Sequence, residues 1–274
     1  MVKVGGALDA DMSRVCADVR ALADRGAEVV VVHGGGAAAD RLGGELGRRT
    51  RYLTGAGERR SRYTDAGALD TLTLAMLGRV KPPLVTALLG LGVRAVGLSG
   101  IDGGLVTATR NPPARAVLDG TPCVVRDDLS GRITAVDPHL PLTLLTAGYV
   151  PVVSPPALDP AAGPLNVDAD RFAAAIAVAM GADWLVMLSD VPGLLADREA
   201  PASLVPVLPR NELPRFLTMA GGRMKVKLRA AAEAHAAGVP NVVLADGRHD
   251  SPVLAAVAGA GTRLVPGVRD VRAS

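Results

Sequence analysis

The sequence predicts an α/β protein with a mainly parallel central sheet, and three observations lead there. Short β-branched runs alternate with helical stretches along the chain, the pattern of βαβ units. Two of these runs, Val2–Val4 and Val29–Val32, lead straight into glycines, Gly5-Gly6 and, after His33, Gly34-Gly35-Gly36, where the backbone must turn sharply. Hydrophobic residues fill 49% of the 274 positions but aromatic ones only 2%, so the core must be built of Ala, Val and Leu, which suits helices packed closely on a sheet.

Val2–Val4 reads as a buried strand, Asp11–Arg25 as a helix, Val29–Val32 as a strand and Ala37–Leu46 as a helix. A polar, arginine-rich segment covers Gly47–Ser61, followed by helices over Asp65–Leu77 and Pro83–Leu91 and a strand at Ala95–Leu98. Leu105–Ala108, Ala116–Val117, Cys123–Val125 and Ile133–Val136 look like a meander joined by turns such as Asp119-Gly120. Leu140–Ala147 reads as a helix and Val150–Val153 as a strand. The second set comprises helices at Ala169–Met180, Pro209–Met219, Lys225–Ala237 and Val253–Ala258, with strands at Trp184–Leu188 and Asn241–Leu244. Consecutive prolines between Pro155 and Pro164 mark the best candidate hinge, dividing the chain into lobes 1–155 and 156–274 on one continuous sheet.

No apolar run approaches the ~18 residues of a membrane span, and the N-terminus opens as a strand without the regions of a signal peptide, so a cytoplasmic protein is expected. Cys16 and Cys123 stand apart in no metal-ligand spacing and are expected to be reduced; the four histidines are scattered, and no metal site is expected. A net charge of +3 is too small for general nucleic-acid binding.

Glycine ends many strands for tight turning alone. Two such ends together, with Lys3 two residues before one of them, point instead to a phosphate site, and neither fits a Walker A or dinucleotide pattern. Lys225 and Lys227 open a helix, where cations oppose the macrodipole; a nearby anion would explain them, and solvation is the alternative. Asp168 suits a helix cap, but Asn166, Asp168 and Asp170 alternating in an apolar surround exceed what a cap needs. A carboxylate there could orient two ammonium groups, as phosphoryl transfer requires. The polar loop from Ser189 to Leu195 leaves an apolar strand where open α/β sheets bind nucleotides. Between positions 48 and 62 lie Arg48, Arg49, Arg51, Arg59, Arg60 and Arg62 against one acid, Glu58; most would make a solvated surface, whereas Arg62 is placed to take a substrate carboxylate.

Lys3-Val4-Gly5-Gly6, His33-Gly34-Gly35-Gly36, Arg62-x-Thr64-Asp65, Asn166-Val167-x-Ala169-Asp170, Ser189-Asp190-Val191-x-Gly193 and Met224-x-x-Lys227, in this order, resemble the amino acid kinase family. The nearest branches are acetylglutamate kinase and its sister, the kinase acting on aminoadipate or glutamate held by a small acidic amino-group carrier protein. The long segment between Tyr52 and Arg62 and its ending Ser61-Arg62-Tyr63-Thr64-Asp65 are similar to the carrier-dependent branch. The resemblance implies a three-layer αβα sandwich whose N-terminal lobe binds the amino acid and dimerises while the C-terminal lobe binds ATP with Mg²⁺. It implies catalytic roles for Lys3, Lys227 and Asp170, and substrate contacts from Gly35, Gly36, Arg62 and Asn166. Nucleotide contacts would come from Gly5, Gly6, Ser189, Asp190, Val191, Gly193, Leu194, Leu195, Met219, Ala220 and Gly221. Arg48, Arg49, Arg51, Arg59 and Arg60 would meet the carrier protein. A homodimer without arginine feedback is expected. Where this family has an Asn-Lys pair the chain has Lys81-Pro82-Pro83, so an interrupted helix is expected there. A free-acetylglutamate kinase and a catalytically silent sensing module are the alternatives.

Overall fold

The computed structural model describes residues 1–5, 12–55, 60–197, 199–200 and 202–267. Strand β1 (Val2–Val4) is followed by α1 (Ser13–Asp24), β2 (Val31–His33) and α2 (Gly36–Glu45). A hairpin of β3 (Tyr52–Thr54) and β4 (Arg60–Arg62) precedes α3 (Ala66–Leu74), which continues through a π-helical segment (Ala75–Val80) into α4 (Lys81–Gly90). Then come β5 (Ala95–Ser99), β6 (Val106–Arg110), β7 (Ala114–Leu118), β8 (Thr121–Val125), β9 (Gly131–Val136), α5 (His139–Thr146), β10 (Val150–Ser154), β11 (Ala157–Asp159) and β12 (Gly163–Leu165). The remainder is α6 (Ala169–Ala179), β13 (Trp184–Ser189), β14 (Val207–Pro209), α7 (Leu213–Met219), α8 (Gly222–Ala236), β15 (Asn241–Asp246), α9 (Pro252–Val257) and β16 (Thr262–Val265).

Eight strands form the central sheet in the order β14-β16-β15-β13-β1-β2-β10-β5, and every pairing is parallel except β15 with β16. Helices cover both faces, giving the predicted αβα sandwich. On one face Val2 and Val4 pack with Val15 and Val19 of α1, Leu42 of α2, Leu88 of α4 and Val253 of α9. On the other, Val32 and Met187 pack with Phe172 and Ile176 of α6 and Leu228 and Ala231 of α8. Alternation along β1 sends Val2 and Val4 to the first face, so Lys3 faces α6 and α8.

Three sequence expectations change. The short strands after β5 do not form one meander: β6 and β9 join β11 and β12 in one small sheet, while β7 and β8 join β3 and β4 in another. The β7–β8 hairpin is an insertion between paired β6 and β9. The helix is not interrupted at Lys81-Pro82-Pro83. The prolines fall at the first positions of α4, where their missing N–H groups cost least, and the π-helical segment carries the rod across. The run Ala66–Gly90 is, by length and composition, apolar enough to span a bilayer, contrary to the expectation that no stretch would be; its Leu72, Met76, Leu84 and Leu88 are buried in the core. The candidate hinge contains the β11–β12 hairpin, whose turn is tied by Asp159 accepting from the N–H groups of Ala161 and Ala162.

Candidate active site

The carboxyl ends of β1, β2, β13 and β10 converge on one rim, and the polar residues of the apolar sheet sit there: Lys3, His33, Ser189 and Ser154 are all buried. Lys3 lies on β1, flanked in register by Val32 and Met187. Asp168 caps α6, accepting from the N–H groups of Asp170 and Arg171, and so fixes the first turn on which Asp170 stands. Lys227 lies in the second turn of α8, on its buried side.

One oxygen of Asp170 meets both ammonium groups, Lys3 Nζ at 2.5 Å and Lys227 Nζ at 2.8 Å. All three groups are buried, with side-chain exposures of 6% for each lysine and 11% for the aspartate. Burial pushes the Asp170 carboxyl up, but the two ammonium groups and their hydrogen bonds outweigh it and hold the group at about 2. Burial and the neighbouring Lys3 charge pull Lys227 down to about 8 against the opposing pull of Asp170. Two cations share one Asp170 oxygen, with the Asp168 carboxylate acting on both from the start of α6, and the ammonium N–H groups not spent on Asp170 are left to meet an anion. Desolvation beside the cluster and the Asp170 charge push the Asp168 carboxyl above the usual carboxylate range, although the residue itself is exposed at the helix start.

The glycine turns border this cluster. A Cβ on Gly5 would sit 2.9 Å from the Leu188 carbonyl oxygen, so only glycine lets β1 leave the sheet beside β13. A Cβ on Gly34 would be in ordinary contact with Ala169, the neighbour of Asp170, at 3.5 Å, which places this turn against the start of α6. Gly35 caps α2 and Gly36 begins it, and the N–H groups of a first helical turn have no carbonyl of their own helix to serve.

Arg62 stands beside the same turn. Its Nη2 donates to Asp40 at 2.8 Å and to the Gly36 carbonyl at 3.3 Å, and its Nη1 to the Thr50 hydroxyl. Asn166 donates to the hydroxyl of buried Thr64, whose own N–H is held by Asp128. Ser189 closes β13 with its hydroxyl buried and unpartnered among the described residues. Past Asp190 and Val191, Gly193 adopts φ +152° against Thr262, the Leu194 N–H is held by the Thr262 hydroxyl, and Leu195 bridges to Leu204. Met219 ends α7 half-exposed, and Ala220 and Gly221 lead into α8.

The arginine segment is more structured and less charged than its sequence implies. Arg48 pairs with Asp70 and Arg51 with Asp119, acids supplied from elsewhere in the chain, while the Arg60 guanidinium stacks 4.0 Å from the Tyr52 ring centroid. Arg49 is exposed. Gly6 and Arg59 lie outside the described residues. Sequence reasoning assigned no role to Asp40, Thr64, His33 or Lys81. His33 was visible as part of the glycine motif, and Lys81, buried with its ammonium donating to the Leu98 carbonyl, as a charge in an apolar helix. Among the described residues no three His, Cys, Asp or Glu side chains gather to hold a metal ion.

A parallel sheet with two lysines and an aspartate buried at its carboxyl rim, beside glycine turns, defines a phosphoryl-transfer enzyme of the α/β class. The chain belongs to the amino acid kinase family, whose pattern it matches over residues 1–246. It is similar to the LysW-aminoadipate kinase of Thermus thermophilus, 41% identical over 96% of this chain and 98% of that one. It is also similar to the acetylglutamate kinase of Rubrobacter xylanophilus, 40% identical over 90% of this chain and 89% of that one. The crystal structure of smu.665 from Streptococcus mutans shares the fold with a TM-score of 0.78 at 23% identity, covering 96% of this chain and 97% of that one. The protein is a kinase of this family.

Proposed function

We propose that this kinase transfers the γ-phosphoryl group of MgATP to the side-chain carboxylate of a glutamate- or 2-aminoadipate-type residue joined by its amino group to a small acidic carrier protein. A carboxylate oxygen forms the new bond to phosphorus, the bond to the bridging oxygen of ADP breaks, and an acyl phosphate results with no proton to move. The observation that carries this reading is the single Asp170 oxygen bridging Lys3 and Lys227. Acceptor and donor are both anions, so the barrier is largely charge repulsion, and two prealigned ammonium groups offset it where it peaks.

In this reading Lys3 and Lys227 reach the migrating phosphoryl group, Asp170 orients them, and Gly35 and Gly36 offer N–H groups to its oxygens. Arg62 and Asn166 take the α-carboxylate and amide region of the acceptor. Ser189 to Leu195 and Met219 to Gly221, with Gly5, line the nucleotide site, so residues 1–155 form the acceptor lobe and 156–274 the ATP lobe. Asp170 is engaged by both lysines and Asp168 by two backbone N–H groups, so Mg²⁺ would arrive on the ATP phosphates and neutralise part of their charge. Arg49 and Arg60 lead the carrier-facing surface, with Arg48 and Arg51 held by their acids beside them. The enzyme works in the cytoplasm as a homodimer, and the exposed Leu74 and Leu89 on the long helix supply its apolar contact.

The acetylglutamate kinase of Rubrobacter, at 40% identity, keeps the free-acid reading alive. Measuring ADP release with the carrier-linked amino acid and with free acetylglutamate separates the two. Turnover on the carried substrate with little on the free acid is expected; the reverse ranking sinks the carrier reading.

A further inference from the structure

His33 closes β2 in full burial, and its Nδ1 lies 2.7 Å from the carbonyl oxygen of the next residue, Gly34. A carbonyl only accepts, so the ring nitrogen donates, and the proton of the neutral imidazole sits on Nδ1. Its Nε2 is then a bare lone pair, buried and without a partner among the described residues. Lys3 and Lys81 are the charged groups that act on the ring, and both, together with burial, oppose its protonation. A leucine would fill this place with no unsatisfied nitrogen to bury. What the imidazole adds is therefore its contact with Gly34.

That contact has a consequence on the far side of the peptide. In a planar trans unit the C=O and the following N–H point in opposite directions, so anchoring the Gly34 carbonyl fixes the direction of the Gly35 N–H. Gly35 is the residue that needs such help. It has no side chain to restrict its backbone, and a Cβ would meet Met76 Cγ at 2.5 Å, so glycine stays and its freedom must be removed by other means.

We propose that His33 is a positioning residue, which through its Nδ1–H holds the Gly34–Gly35 peptide so that the Gly35 N–H, and not a carbonyl lone pair, faces the transferring phosphoryl group. The proposal rests on the kinase reading above for the place of Gly35. A peptide flip would exchange a donor for an acceptor beside an anion, replacing attraction by repulsion at the point where charge moves.

Two measurements test it, one independent of the substrate. Imidazole ¹⁵N shifts of the wild-type protein at neutral pH are expected to show His33 neutral and protonated on Nδ1; a proton on Nε2, or on both nitrogens, overturns the proposal whatever the enzyme phosphorylates. The second compares three variants in steady-state turnover of ATP with whichever acceptor the wild type uses. His33→Asn keeps an amide N–H near the Nδ1 position, whereas His33→Gln places it near Nε2 and His33→Leu has none. Asn is expected to retain kcat within a few-fold while Gln and Leu lose about tenfold or more, with KM for ATP moving less than kcat and with Asn and Gln melting alike. Equal losses in Asn and Gln, or full activity in Leu, refute it. Should the Leu variant fail to fold, the Asn and Gln pair still decides.

Discussion

Asp170 serves two ammonium groups with one oxygen, and the residue-scale behaviour of the site follows from that sharing. Lys3→Ala or Lys227→Ala is expected to lower kcat about a hundredfold or more with a smaller change in KM for ATP, because each lysine acts where charge develops. Steady-state kinetics checks this. The pH dependence has two sides. The Asp170 carboxyl, at about 2, lies below its usual 3.8, so its contribution to stability is present above pH ~4 and is lost as pH falls through about 2. Lys227 in the folded protein lies near 8 against an ordinary 10.5, so its charge is lost as pH rises through about 8. A kcat/KM profile falling above pH ~8 is expected, because it reports the free enzyme, with Asp170 still ionised; a flat kcat/KM profile to pH ~10 removes Lys227 from the charge-stabilising role.

At the scale of elements, the turn from β2 into α2 depends on the helix packed beneath it. Gly35→Ala would drive a Cβ against Met76 on the π-helical segment, and Met76 Cα is itself within 3.4 Å, so the clash is not relieved by the thioether alone. A loss of about 1–3 kcal/mol is expected from thermal or urea unfolding, accompanied by reduced turnover. The π-helical segment illustrates what the chain does and does not disclose. Pro82-Pro83 reads locally as a stop, yet the residues before it can bond one position further back and keep the rod running, an adjustment no local pattern announces. The eight-stranded sheet was legible where buried apolar runs are long, as in β10 and β13. Illegible were β14 and β16 toward its edge, and β3 and β4 in a small sheet, short and part-exposed strands whose only signal is the partner they pair with. Likewise the lysines and Asp170 were legible from motif spacing, whereas Asp40 was not, since its hold on Arg62 depends on the β3–β4 hairpin folding back toward α2.

For the molecule as a whole, the apolar helix Ala66–Gly90 is covered on one side only: Leu72 and Leu88 are in the core while Leu74 and Leu89 are about half exposed. Pairing through this side is the whole-molecule prediction. Sedimentation is expected to give a dimer, and Leu74→Asp with Leu89→Asp a monomer of unchanged far-ultraviolet dichroism; an unaltered sedimentation coefficient locates the contact elsewhere.

The position of β1 has a consequence for biosynthesis. It lies mid-sheet, with β2 on one side and β13 on the other, so Val2 finds Val31 soon after both leave the ribosome but must wait for Val186. Throughout that interval one edge of the nascent strand is open to the wrong neighbour. A charged side chain on an open strand disfavours stray pairing, and before β13 arrives Lys3 is the one residue of β1 that carries such a charge.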